Sequence, residues 1–124
     1  MDDEITPPIR RIWCDHGLVI GQRMVRYFLN PIRGVLYVPE RDAVAVWTKA
    51  TYGRGQTRNL YCFSGRGSLR WRVAATGKDA NWDRYHDVGL WDATKLLCMT
   101  SSGLVVVDLD RGTIVSPPGS AQPA

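Results

Sequence analysis

Asn59-Leu-Tyr-Cys-Phe-Ser-Gly-Arg-Gly-Ser-Leu-Arg-Trp-Arg-Val73 and Gly103-Leu-Val-Val-Val-Asp-Leu-Asp-Arg-Gly-Thr-Ile-Val115 read as one unit written twice. Each copy is an apolar run of strand type, a short polar turn holding a glycine, and a second strand-type run. Aligning the turn glycines Gly67 and Gly112 gives an offset of 45 residues. Self-similarity at a period of this size marks a fold made by stacking one supersecondary unit, because a single copy cannot bury its own apolar faces.

Outward from these copies, strand character extends back to Gly34. The runs 34–38 and 43–48 flank Pro39-Glu-Arg-Asp42, whose residue types suit a hairpin connection. A first unit of four strands is expected at about 34–38, 43–49, 59–63 and 69–74, with 51–58 as a long glycine-containing loop between the second and third. A second is expected at about 86–91, 95–100, 104–109 and 113–116, where Ser101-Ser-Gly103 makes a tight turn instead. Residues 1–116 then form a single β domain, with the first unit at about 34–74 and the second at about 86–116. The tail 117–124 holds no core-forming residue beyond alanine and is expected to be disordered.

Several of these strands are apolar on both faces. In Leu104-Val-Val-Val-Asp-Leu109, Leu104 and Val106 share one face and Val105, Val107 and Leu109 the other; 95–100 and 59–63 behave alike. An antiparallel strand with one wet face alternates apolar with polar residues, so these want cover on two sides. Leu69-Arg-Trp-Arg-Val73 does alternate, which predicts an edge strand with Leu69, Trp71 and Val73 inward and Arg70 and Arg72 outward on one face. Residues 9–30 are open to two readings. Met24, Val25, Phe28 and Leu29 are spaced as on a short amphipathic helix, and the same segment serves equally as strands of an incomplete preceding unit.

The doubled unit resembles the blades of quinoprotein-like (PQQ-type) β-propellers, in which a pattern Y-A-x-D-x-x-T-G-K-x-x-W joins the outer two strands. The first copy supplies Tyr61, Gly67 and Trp71, with Ser64 in place of aspartate; the second keeps Asp108 and Gly112 but has Arg111, Thr113 and Ser116 for threonine, lysine and tryptophan. The resemblance implies an all-β fold of two four-stranded antiparallel propeller-type blades, packed as a partial propeller or a sandwich with an N-terminal cover segment. It also implies that Trp71 docks one blade onto the next. A closed propeller takes about 4 to 8 blades, and two cannot build the axial pocket in which quinoproteins hold their cofactor. No cofactor is expected.

The composition fits a soluble globular domain: 124 residues, 44% hydrophobic and 23% charged. The acidic, proline-broken start Met1-Asp-Asp-Glu-Ile-Thr-Pro-Pro8 is not a signal peptide, and the apolar runs are too short for a membrane span, so a cytoplasmic protein without a membrane partner is expected. Cys14, Cys62 and Cys98 have neither disulfide nor metal spacing and read as buried thiols. The net charge of +4 is unevenly placed, with 12 basic and 6 acidic residues over 1–75 but 4 and 6 over 76–124.

Four sets of polar residues stand out. Arg54, Arg58, Arg66, Arg70 and Arg72 with Tyr52 form a candidate partner-binding patch, able to meet nucleic-acid phosphates if it is continuous. Asp79, Asn81, Asp83 and Asp87 approach a calcium-loop spacing, but Arg84 and Leu90 stand where that loop needs glycine and glutamate; capping of the backbone is the expectation. Asp83, His86 and Asp87 would be the groups of a small enzyme, and Cys14, His16 and His86 could ligate zinc only by a convergence that their spacing does not indicate. No catalytic motif is present. The expectation is a non-catalytic interaction or scaffold protein that binds another protein and forms a homo-oligomer, with anion or nucleic-acid binding through the arginines as the alternative.

Overall fold

The computed structural model describes residues 9–13, 15–21, 23–50 and 57–116. They form three antiparallel sheets, each laid down in chain order. The N-terminal sheet holds β1 (Ile9–Trp13), β2 (Gly17–Ile20) and β3 (Arg23–Tyr27). The middle sheet holds β4 (Ile32–Val38), β5 (Ala43–Thr48), β6 (Leu60–Phe63) and β7 (Leu69–Arg72), and the C-terminal sheet holds β8 (Tyr85–Asp92), β9 (Lys95–Thr100), β10 (Gly103–Asp108) and β11 (Ile114–Ser116). The described helical residues are two 3-10 turns, Pro39–Arg41 and Ala80–Asp83. No helix among the described residues is long and apolar enough to cross a membrane.

The open choice over residues 9–30 resolves to strands. Gly21 has a φ of +67° and turns the chain between β2 and β3, a conformation no helix interior contains. Val25 and Phe28 then face a core while Met24 and Leu29 stay exposed, so the helical spacing of these four was coincidental.

The sheets stack face to face. Leu18, Ile20 and Phe28 meet Ile32, Val44, Val46 and Phe63 in a core between the first two sheets. On the opposite face of the middle sheet Ala43, Ala45, Trp47, Leu60, Cys62 and Trp71 meet Tyr85, Val88, Leu96, Cys98, Val105 and Val107. Every residue of β5 is buried, because alternate side chains serve the two cores in turn. The apolar character of 43–48 and 59–63 on both faces is thereby explained.

Trp71 ties the middle sheet to the C-terminal sheet. Its indole Nε1–H donates to the Leu109 carbonyl at 2.8 Å, and its ring lies flat enough against the β10–β11 turn that a Cβ on Gly112 would sit 2.4 Å from Cδ2. Gly112 has φ +74°, so both its conformation and its lack of a side chain are required. The β6–β7 turn repeats this contact one sheet earlier: a Cβ on Gly67, at φ +94°, would lie 2.5 Å from Val25 Cγ1 on β3. At the rim, Asp110 accepts from Arg41 and pairs with Arg70 at 3.5 Å. Those two cations hold its carboxyl below the usual carboxylate range, the hydrogen bond from Arg41 being the largest cause.

A buried amide makes the second tie. Asn59 Nδ2 donates to the carbonyls of Thr48 at 2.6 Å and Tyr85 at 2.8 Å, and its Oδ1 accepts the Tyr85 N–H at 2.7 Å. One side chain on the middle sheet therefore takes up three backbone groups, two of them at the head of β8.

The alternation expected over 69–73 is only partly realised. Cys62 pairs with Trp71 but Phe63 with Leu69, which leaves Arg70 as an extra residue in a β-bulge. Leu69 is turned out of the core and is exposed, whereas Trp71 and Val73 are buried as expected.

Candidate functional site

The expected arginine patch is not one surface. Tyr52 and Arg54 lie outside the described residues. Arg70 and Arg72 do not share a face, because the bulge at Arg70 shifts the register between them. Arg70 turns toward the C-terminal sheet, donating to the Arg41 carbonyl at 2.9 Å and pairing with Asp110. Arg72 turns the other way, its guanidinium 5.4 Å from the Tyr61 ring centroid, and donates to the carbonyls of Arg58 and Thr57, both at 2.9 Å. Arg58 donates through Nε to the Val73 carbonyl at 2.8 Å. Arg66 sits exposed on the β6–β7 turn. Three of the four described arginines thus fasten loops and turns, a use that composition alone does not distinguish from phosphate binding.

The acidic run is likewise occupied with its own backbone. Asp79 caps the 3-10 turn by accepting from the Asn81 N–H at 2.9 Å, Asn81 accepts from Arg84, and Asp83 accepts from the Thr76 N–H at 3.0 Å. Asp87 is on β8, where Oδ1 accepts from the Val88 N–H. Among the described residues no three His, Cys, Asp or Glu side chains gather as a metal site. His86 Nε2 bonds Ser101 Oγ across the β8–β9 pair, while His16 Nδ1 donates to the Phe28 carbonyl at 3.1 Å; Cys14 lies outside the described residues.

Cys62 and Cys98 are buried and unpaired with each other. Burial pushes the Cys62 thiol up to about 11 and raises that of Cys98 as well, so both stay protonated at neutral pH. In a Cys14→Ser chain at pH 8, a disulfide-exchange reagent is expected to label no thiol within minutes, and two after denaturation. Rapid labelling of the native chain would contradict this placement.

The surface that stands out instead is the outer face of the C-terminal sheet. On β9 and β10, Leu96, Cys98, Val105 and Val107 point into the core, so Leu97, Met99, Leu104 and Val106 point away from it. Met99 is 53% exposed, Leu104 38% and Leu90 51%. With Gly89, where a Cβ would meet nothing within 4 Å, they line a shallow groove of about 220 Å³ edged by Asp87. The sequence signal for this surface was the apolar outer face of 95–100 and 104–109; which of the doubly apolar strands would be left uncovered was not readable. Comparison with known proteins returns no match: no family model fits the chain, and no curated protein or solved structure is significantly similar to it.

Proposed function

We propose that the chain is a non-catalytic protein-interaction module, a short stack of propeller-like blades that works through the outer face of its C-terminal sheet. The observation that carries this reading is Met99 and Leu104, exposed together on this face around a groove whose floor is opened by Gly89 and whose edge is reached by Leu90. A monomeric protein seldom leaves such a contiguous apolar face to water, because covering it is favourable by roughly 25 cal/mol for each Å² removed from solvent. The site offers few polar groups to orient a small molecule, and the groove is open along the strands, which suits a flat protein face better than a ligand. The blade resemblance supports the same view, since blades are units that bury their faces on one another.

Photocrosslinking tests the proposal. A photoreactive side chain at position 99 is expected to give a protein adduct, with a partner in native extract or with the chain itself, while the same group at position 66 gives none. Absence of any adduct from position 99 under both conditions would reject it.

A further inference from the structure

Resting on that reading, we infer that the occupant of the groove is the N-terminal sheet of a second copy, docked head to tail. A contact rule that the chain already obeys twice points to it. Gly21, Gly67 and Gly112 recur at steps of 46 and 45 residues, and each turns the chain into the last strand of its sheet with a positive φ of +67°, +94° and +74°. The residue four places on from each is Val25, Trp71 or Ser116. Gly67 of the middle sheet seats on Val25 of the sheet before it, and Gly112 of the C-terminal sheet seats on Trp71 of the sheet before it. Each turn glycine therefore docks on the fourth-following residue of the preceding unit.

The rule leaves two open ends. Gly21 has nothing within 4 Å of where its Cβ would be, so the first turn has no seat among the described residues. At the other end no following sheet among the described residues covers β9 and β10, whose outward Met99 and Leu104 are exposed while Leu97 is half-buried and Val106 buried. The N-terminal sheet is also apolar on its outward side: Val19 pairs with Met24, which is 47% exposed, and Tyr27 is 64% exposed. What closes one open end is chemically the other.

Charge selects this pairing over a face-to-face one. The strands of the N-terminal sheet hold no carboxylate and four arginines, of which Arg23 and Arg26 pair with core-facing Ile20 and Leu18, Arg26 lying over the Phe28 and Tyr61 rings, so the sheet as a whole is positive. Those of the C-terminal sheet hold Asp87, Asp92 and Asp108 against Lys95 alone. Two copies of either sheet would repel, whereas unlike ends attract. Such a contact is heterologous, so successive copies close a ring or extend a chain according to the rotation at each step.

Light scattering on sized fractions of wild type and two surface variants, Leu104→Asp and Met24→Asp, tests this. Wild type is expected at a multiple of 13.9 kDa. Each variant alone is expected to be monomeric with an unchanged melting temperature. Their mixture is expected to recover a 1:1 heterodimer, because one unaltered C-terminal face and one unaltered N-terminal face remain between them. If Leu104→Asp dissociates the assembly and Met24→Asp does not, head-to-tail docking is wrong while binding at the C-terminal face stands. A monomeric wild type also rejects the head-to-tail contact, leaving photocrosslinking to decide the function. If neither variant alters an assembled wild type, head-to-tail docking is wrong, and photocrosslinking at position 99 decides the function.

Discussion

Trp71→Ala is expected to lower the free energy of unfolding by about 3–5 kcal/mol, the range for removing a large aromatic from a core. Three losses coincide at this position. The indole no longer fills the space between β7 and the β10–β11 turn, Gly112 loses the ring on which it rests, and the Leu109 carbonyl loses its indole donor. For a chain of this size the change corresponds to a fall of roughly 10–20 °C in melting temperature. Thermal melts followed by circular dichroism check it. Trp71→Phe separates the causes, since a phenyl ring keeps much of the packing but donates no hydrogen bond; its cost should be clearly smaller. A Trp71→Ala chain that melts with wild type would show that the two sheets do not depend on this contact.

Asn59→Ala is the second substitution with a large expected effect, at about 3 kcal/mol or more. The deletion leaves the Thr48 and Tyr85 carbonyls and the Tyr85 N–H without their amide partner. Stranding a buried polar group costs about 1–3 kcal/mol. Asn59→Asp sharpens the test. A carboxylate still accepts from the Tyr85 N–H but donates nothing and faces two carbonyl oxygens, so it should be no better tolerated than alanine. Urea titrations of the three chains give the comparison, and an Asn59→Asp chain as stable as wild type would refute the assigned bonds.

Much of the fold was legible because it rests on period-two patterns and turn chemistry. The strands expected at 34–38, 43–49, 59–63 and 69–74 appear as β4 to β7 within two residues at each end, and those expected at 86–91, 95–100, 104–109 and 113–116 appear as β8 to β11 just as closely. Those signals are local. The bulge at Arg70 is not, since it is defined by which residue of β6 each residue of β7 opposes, and it sent Leu69 outward and separated Arg70 from Arg72. The N-terminal sheet was hidden for another reason. Its seat residue is Val25, not an aromatic, so the tryptophan that betrays the middle sheet has no counterpart there.

The candidate site was harder to see, for a physical reason visible in its residues. Arginines and aspartates are conspicuous in a sequence, yet Arg58, Arg70, Arg72, Asp79 and Asp83 satisfy backbone groups nearby. Met99 and Leu104 look like ordinary core residues until the stacking order shows that nothing among the described residues lies over them. Asn59 gave no pattern at all, because one amide bridging two sheets has no periodicity to detect.

The complete burial of β5 has a consequence for how the molecule comes apart. Val44 and Val46 belong to one core while Ala43, Ala45 and Trp47 belong to the other, so neither core can open without stripping water-excluded surface from a strand the other still needs. A pile of separate sheets would melt in stages; sharing a strand couples the layers, and the domain is built to lose its structure in a single cooperative step.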